Sequence, residues 1–237
     1  MAGASAINHI QEYKQDALMD RTKHRPLPSG KLGFYEAIFW AVSFLILGFY
    51  FLYRVGHINS LILALISVVW YNLIYTPLKK RSAFAVIPGA LCGAFPPLIG
   101  WLAAGGTVSS PSILVICLFF FIAQIPHFWL LLIIYSKDYK RGGFKVLIDV
   151  FSEKQVKRLT LIWMLSSVML SLMLPAFHVI YSQLLVLVLL FISLWIIIDS
   201  FFFFHRSQKD NYRRMFIRFN VYFLLVVVII GIDSLYF

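Results

Sequence analysis

The chain has 237 residues, of which 61% are hydrophobic and 13% charged, and its mean hydropathy is +0.84. A water-soluble domain carries roughly 25% charged residues, so this composition excludes a soluble core and makes lipid the solvent. Its 21 Lys and Arg against 10 Asp and Glu leave a net charge of +11, yet no nucleic-acid partner is expected, because membrane proteins gather cations in cytoplasmic loops for topological reasons.

The first 20 residues, MAGASAINHIQEYKQDALMD, lack the apolar core of a cleavable signal peptide and read as a polar helix. Glu12, Asp16 and Asp20 recur every four residues, and Asn8 extends the series backwards. Positions 8, 12 and 16 fall at about 0°, 40° and 80° around a helix axis and form one face. Carboxylates at that spacing repel by a few tenths of a kcal/mol per pair. Two readings suit this face. One is a solvated amphipathic helix relieved by Lys14. The other is a site for a hard cation such as Mg²⁺, which takes one or two carboxylates together with phosphate oxygens. The following run, Arg21-Thr22-Lys23-His24-Arg25-Pro26-Leu27-Pro28, suits either a polyphosphate clamp in which Arg engages oxygens in pairs, or topological charge in a Pro-stiffened loop.

Seven segments then reach the roughly 20 apolar residues a helix needs to cross a bilayer: about 33–53, 59–76, 84–104, 111–136, 158–177, 179–204 and 215–235. The second ends in YTPLKKRS (Tyr75 to Ser82). The third carries IPGALCGAFPPLIGW (Ile87 to Trp101), whose small residues permit close helix approach. The fourth carries QIPHFW (Gln124 to Trp129) and leaves the membrane at SKDYKRGG (Ser136 to Gly143), where Asp138 is a second acidic position. Pro96, Pro97, Pro126 and Pro175 are expected to kink or break their helices. Asn72 is expected to hold helices together, Asp199 and Asp233 to reach the membrane interface, and Phe201–Phe204 to form an aromatic belt. Cys92 and Cys117 have no His or Cys at ligand spacing, so neither a disulfide framework nor a zinc site is expected. Seven alternating spans place 20 of the 21 cations on one face, with Arg54 the exception and Arg206 and Lys209 among those of the sixth loop. The positive-inside rule makes that face cytoplasmic.

Taken in order, NxxxExxxD (Asn8 to Asp16), MxRTxxRPLPxG (Met19 to Gly30), YTPLKKRS, GAFPPLIGW (Gly93 to Trp101), PHFWxLxxxxxxDYxxGG (Pro126 to Gly143) and FSEKQVKR (Phe151 to Arg158) resemble the heme O synthases. These are the protoheme IX farnesyltransferases of the UbiA-type intramembrane prenyltransferase superfamily. The likeness covers residues 7 to about 158; beyond that, the chain is similar only in its apolar spans. The resemblance implies an all-α, polytopic transmembrane bundle around a central cavity, formed by residues 1–237 as one domain in the cytoplasmic (inner) membrane, with the active site on the cytoplasmic side. It implies that Asn8, Glu12, Asp16 and Asp138 hold Mg²⁺ and are catalytic, and that Arg21, Arg25, Lys79 and Lys80 bind the diphosphate of farnesyl diphosphate. Neutral imidazole is a common haem ligand, so His127 is read either as a contact to the acceptor, heme b, or as a hydrogen-bonded helix His next to the Pro126 kink. The product would be heme o, and heme A synthase or terminal-oxidase assembly factors would be partners. Two departures stand out: Glu12 occupies a position where Asp is common, and the chain opens on a motif that follows the second of about nine helices in the family. The first two family helices are therefore expected to be missing. Rival readings are a prenyltransferase for a quinone or chlorophyll-type acceptor, against which YTPLKKRS and GAFPPLIGW argue, and a transporter or heme-handling scaffold.

Overall fold

The computed structural model describes residues 1–205 and 209–236; Arg206 lies outside the described residues, as does the side chain of Lys209. Among the described residues ten α-helices run in order: α1 Ala2–Leu18, α2 Phe34–Val55, α3 Ile58–Val69, α4 Thr76–Arg81, α5 Val86–Ala103, α6 Pro111–Ile134, α7 Ser136–Arg141, α8 Glu153–Met173, α9 Gln183–His205 and α10 Lys209–Tyr236. A π turn, Trp70–Tyr75, joins α3 to α4, so Ile58–Arg81 forms one span. Among the described residues seven helices are long and apolar enough to cross a membrane, and the chain is a multi-pass, all-α membrane protein.

Local chemistry explains several boundaries. The Glu36 carboxylate accepts the Gly33 backbone N–H at the start of α2, and Arg54 complements the helix dipole at its end. At Ser152 a reciprocal cap with Gln155 starts α8 at Glu153, five residues before the apolar run at 158 suggests. The helix is thus longer at its polar end than hydropathy implies. Pro175 ends that run: α8 stops at Met173, and a 3₁₀ turn follows, with His178 left-handed at φ 55°. Pro96, Pro97 and Pro126, by contrast, lie inside uninterrupted helices. Each removes one backbone donor from its helix.

The chain divides into two compact units. The first comprises Met1–Thr107 and Tyr135–Val150, the second Val108–Ile134 and the chain from Phe151 onward. In the first unit, the polar helix α1 lies along α2, and its approach depends on Gly3. A Cβ there would meet the Leu45 side chain at 2.7 Å and the Leu45 backbone nitrogen at 2.9 Å. α3 packs on α5, and the ring of Tyr75 sits where a Cβ on Gly89 would fall, 2.3 Å away. Most of α2 turns exposed aromatic and aliphatic side chains outward, Phe39, Phe44, Tyr50 and Phe51 among them, as a lipid-facing span does.

The second unit packs α6, α8, α9 and α10 around Phe119, Met164, Leu189, Ile196, Phe219 and Val226. The Tyr222 hydroxyl is bonded to Ser171 and lies 3.3 Å from Ser193 Oγ, stitching three spans together. Asp233 does not reach the interface as expected. It is 1% exposed, and its two oxygens accept the backbone N–H groups of Tyr181 and Ser182, both at 2.9 Å, so it holds the turn that leads into α9. Asp199 pairs with Arg218. Phe201 and Phe202 are exposed as a belt requires, but Phe203 is buried edge-on against Tyr212; the Phe204 side chain lies outside the described residues.

Candidate active site

The expected face of α1 is real and buried. Asn8, Glu12 and Asp16 are 6%, 5% and 2% exposed, which rules out the solvated amphipathic reading for these three. Each is met by a specific partner. The Asn8 amide donates to Thr76 Oγ1 at 3.1 Å and accepts from the Tyr71 hydroxyl at 3.2 Å. Glu12 meets Lys79, whose Nζ lies 2.7 Å from Oε1 and 2.8 Å from Oε2. Asp16 Oδ2 accepts from Arg25 at 2.7 Å. The Asp16 carbonyl accepts from the buried Thr22 hydroxyl, which folds residues 19–25 back over the end of α1 and delivers Arg25. The π turn sets the phase that brings Lys79 to Glu12.

Arg21 and Asp138 form the neighbouring cluster. The Arg21 backbone N–H donates to Asp138 Oδ2 at 3.2 Å, and its guanidinium donates to the Tyr139 hydroxyl at 3.3 Å. The same group lies over the rings of Tyr135 and Tyr139, 5.5 and 5.8 Å from their centroids. Burial pushes the Tyr139 hydroxyl above its ordinary range. Asp20 bonds to Lys23 at 2.6 Å and to Arg141 at 2.7 Å, and the bond from Lys23 is the main cause holding its carboxyl below the usual range. Lys80 is exposed and has no ion-pair partner among the described residues.

The structure therefore brings Asn8, Glu12, Asp16, Arg25 and Lys79 together, with Arg21 and Asp138 beside α1 on the loop and on α7. His127 belongs to the other unit, where Nδ1 lies 2.6 Å from Asn220 Oδ1 and the ring packs on Phe128 and Phe216. Sequence reasoning missed the aromatic surround: Lys79 Nζ lies 5.0 Å from the Tyr75 ring centroid and 5.8 Å from that of Phe144. The aromatic residues of YTP and DY were the available signal. At Asn72 it is the backbone carbonyl that bridges helices, accepting from the Gln11 side-chain amide at 3.0 Å, while the Asn72 side-chain amide donates to the Val68 carbonyl of its own helix.

The residues fit Mg²⁺ by donor chemistry. Among the described residues, no three or more His, Cys, Asp or Glu side chains converge on one point. A hard cation that takes one or two carboxylates and completes its shell with phosphate and water does not need such a cluster. Glu12 Oε1, buried and within ion-pair distance of Lys79, has no hydrogen-bond donor aligned to it.

Residues 1–224 match the UbiA prenyltransferase family. The chain belongs to that family. Among curated relatives, the UbiA-family chain is 36% identical over 175 residues to a protoheme IX farnesyltransferase of Nitratidesulfovibrio vulgaris, covering 74% of this chain and 61% of that one. It is 45% identical over 145 residues to that of Cytophaga hutchinsonii (61% and 50%), and 40% identical over 142 residues to that of Geobacter sulfurreducens (60% and 52%). The matches thus span about half to three-fifths of these relatives' length. Solved structures share the fold. One, from work on the biosynthesis of digeranylgeranylglyceryl phosphate synthase in membranes, covers 100% of this chain and 82% of its own, with TM-score 0.76 and 19% identity. A UbiA homolog from Archaeoglobus fulgidus bound to GPP and Mg²⁺ covers 98% and 83%, with TM-score 0.59 and 16% identity.

Proposed function

We propose that the chain is a heme O synthase, which transfers the farnesyl group of farnesyl diphosphate to a vinyl group of heme b in the cytoplasmic membrane. The observation that carries this reading is the pairing of two buried carboxylates, Glu12 and Asp16, with Lys79 and Arg25 at one end of the first unit's spans. The ordered motifs and the protoheme IX farnesyltransferases among the relatives support heme b as acceptor over a quinone or chlorophyll-type ring.

Glu12 and Asp16, with Asp138 nearby, are the residues that would hold Mg²⁺. When bound, the ion neutralises charge growing on the departing diphosphate. Asn8, committed to Thr76 and Tyr71, fixes α1 against the second span. Arg25, Lys79 and Arg21 meet the diphosphate oxygens, and Lys80 supplies charge at the exposed rim. The allylic C–O bond breaks and the diphosphate leaves with the electron pair. The vinyl group then attacks the allylic carbon, and water captures the resulting cation with loss of a proton to give the hydroxyethylfarnesyl side chain. Fixed cations aimed at the leaving group favour the transition state. His127, held by Asn220, is the proposed acceptor contact. Basic loops and site face the cytoplasm by the charge rule, and heme A synthase or oxidase assembly factors are natural recipients of the product.

The test is heme o formation in membranes carrying this chain, supplied with heme b, farnesyl diphosphate and Mg²⁺, and read by chromatography and mass. Product is expected from the wild type and a fall of at least about 100-fold from Asp16→Asn, the scale of removing one group that positions the developing charge. An unaltered rate in Asp16→Asn, or no product where a longer relative succeeds in the same membranes, overturns the assignment.

A further inference from the structure

Building on the reading that Glu12 and Asp16 serve the metal and Arg25 and Lys79 the diphosphate, we propose that Arg25 and Lys79 are also place-holders that reject the free metal ion, so the site selects the metal–diphosphate complex over either component.

The charges of these four groups cancel, two carboxylates against two cations. Lys79 spans both oxygens of Glu12 at 2.7 and 2.8 Å, and Arg25 holds Asp16 Oδ2 at 2.7 Å. Both carboxylates are almost wholly buried. A divalent ion arriving alone must displace Lys79 and Arg25 from their partners, leaving two cations unpaired beside an added double charge. A diphosphate arriving alone must draw the same cations away and strand two buried carboxylates, which is strongly unfavourable. When both arrive together, each group exchanges one partner for another. The carboxylates pass from ammonium and guanidinium to the metal, and the cations pass from carboxylate to phosphate oxygen. No covalent bond changes and no proton moves. The place-holding depends on direct contact rather than on the general positive field, and the neighbouring, exposed Lys80 separates the two effects.

The experiment uses the full chain in lipid nanodiscs, with Mn²⁺ as metal probe followed by electron paramagnetic resonance and inorganic diphosphate as anion probe. With no phosphate present, Lys79→Gln and Arg25→Gln are expected to bind Mn²⁺ at least about tenfold more tightly than wild type, within the 5–150-fold range usual for coupled sites. Lys80→Gln is expected to match wild type. Reciprocally, Glu12→Gln/Asp16→Asn is expected to bind diphosphate in excess chelator at least about tenfold more tightly than wild type, and this arm decides the matter if the cation variants do not fold. Wild-type Mn²⁺ affinity equal to that of the cation variants, or an equal gain in Lys80→Gln, overturns the place-holder role. If wild type fails to bind Mn²⁺ and diphosphate even when both are supplied, the underlying site assignment fails instead.

Discussion

Replacing Lys79 with Met strands the Glu12 carboxylate. The pair is well shielded, with side-chain exposures of 17% for Lys79 and 7% for Glu12, so solvent screening is slight. Breaking a buried ion pair from one side costs about 3–5 kcal/mol, whereas replacing both members with neutral groups of similar volume is close to neutral. For a chain of this length each kcal/mol moves the unfolding midpoint by about 2–4 °C, so Lys79→Met is expected to fall by at least about 6 °C. Glu12→Gln in the same background removes the stranded charge and is expected to recover most of that loss. Thermal unfolding of the four members of this cycle, followed by intrinsic tryptophan fluorescence in one detergent, gives the coupling directly. A Lys79→Met midpoint within 1–2 °C of wild type, or a double variant no better than the single one, would refute the reasoning.

Gly89→Ala places a methyl group 2.3 Å from the Tyr75 ring; overpacking of this kind costs about 1–3 kcal/mol, and a lower unfolding midpoint with reduced heme o output is expected. Asp233→Ala uncovers the N–H groups of Tyr181 and Ser182 and is expected to lose about 1.5–3 kcal/mol, the scale of hydrogen bonds to a charged group, read as a lower midpoint in thermal melts. Asp20 titrates below its ordinary value of 3.8 because of Lys23 and then Arg141. Since a depressed carboxyl stabilises the folded state above its unfolded pKa and loses that contribution as pH falls through the folded one, the stability gap between wild type and Asp20→Asn should be flat from pH 5 to 7 and close below about pH 4. Melts across that range would show a constant gap at every pH if the ion pairs contributed nothing.

The acidic face of α1 was legible because helical spacing is a local property: residues 8, 12 and 16 share a side whatever they pack against. The cations were legible as an inventory but not as pairs. Nothing in the sequence says that Lys79 meets Glu12 across 67 positions while Lys80 stays in solvent, because that choice depends on the phase of a span containing a π turn. The Ser152–Gln155 cap lies outside the apolar run, and hydropathy marks where a helix enters lipid rather than where it begins. Asp233 was misjudged for a different reason. An acid near the end of an apolar span usually reaches for water, and its real partners, two backbone N–H groups before α9, come from a turn some 50 residues earlier.

The π turn at Trp70–Tyr75 separates two requirements within one helix. Insertion into lipid depends on which residues Ile58–Arg81 contains, and a tally is indifferent to their angular order. Returning the turn to α geometry without removing a residue would swing everything after it by about 100°, and carry Lys79 off Glu12 while hydropathy scarcely changed. Such a change would yield a protein that inserts and spans normally yet has lost one of its two buried ion pairs, a defect of azimuth rather than of composition.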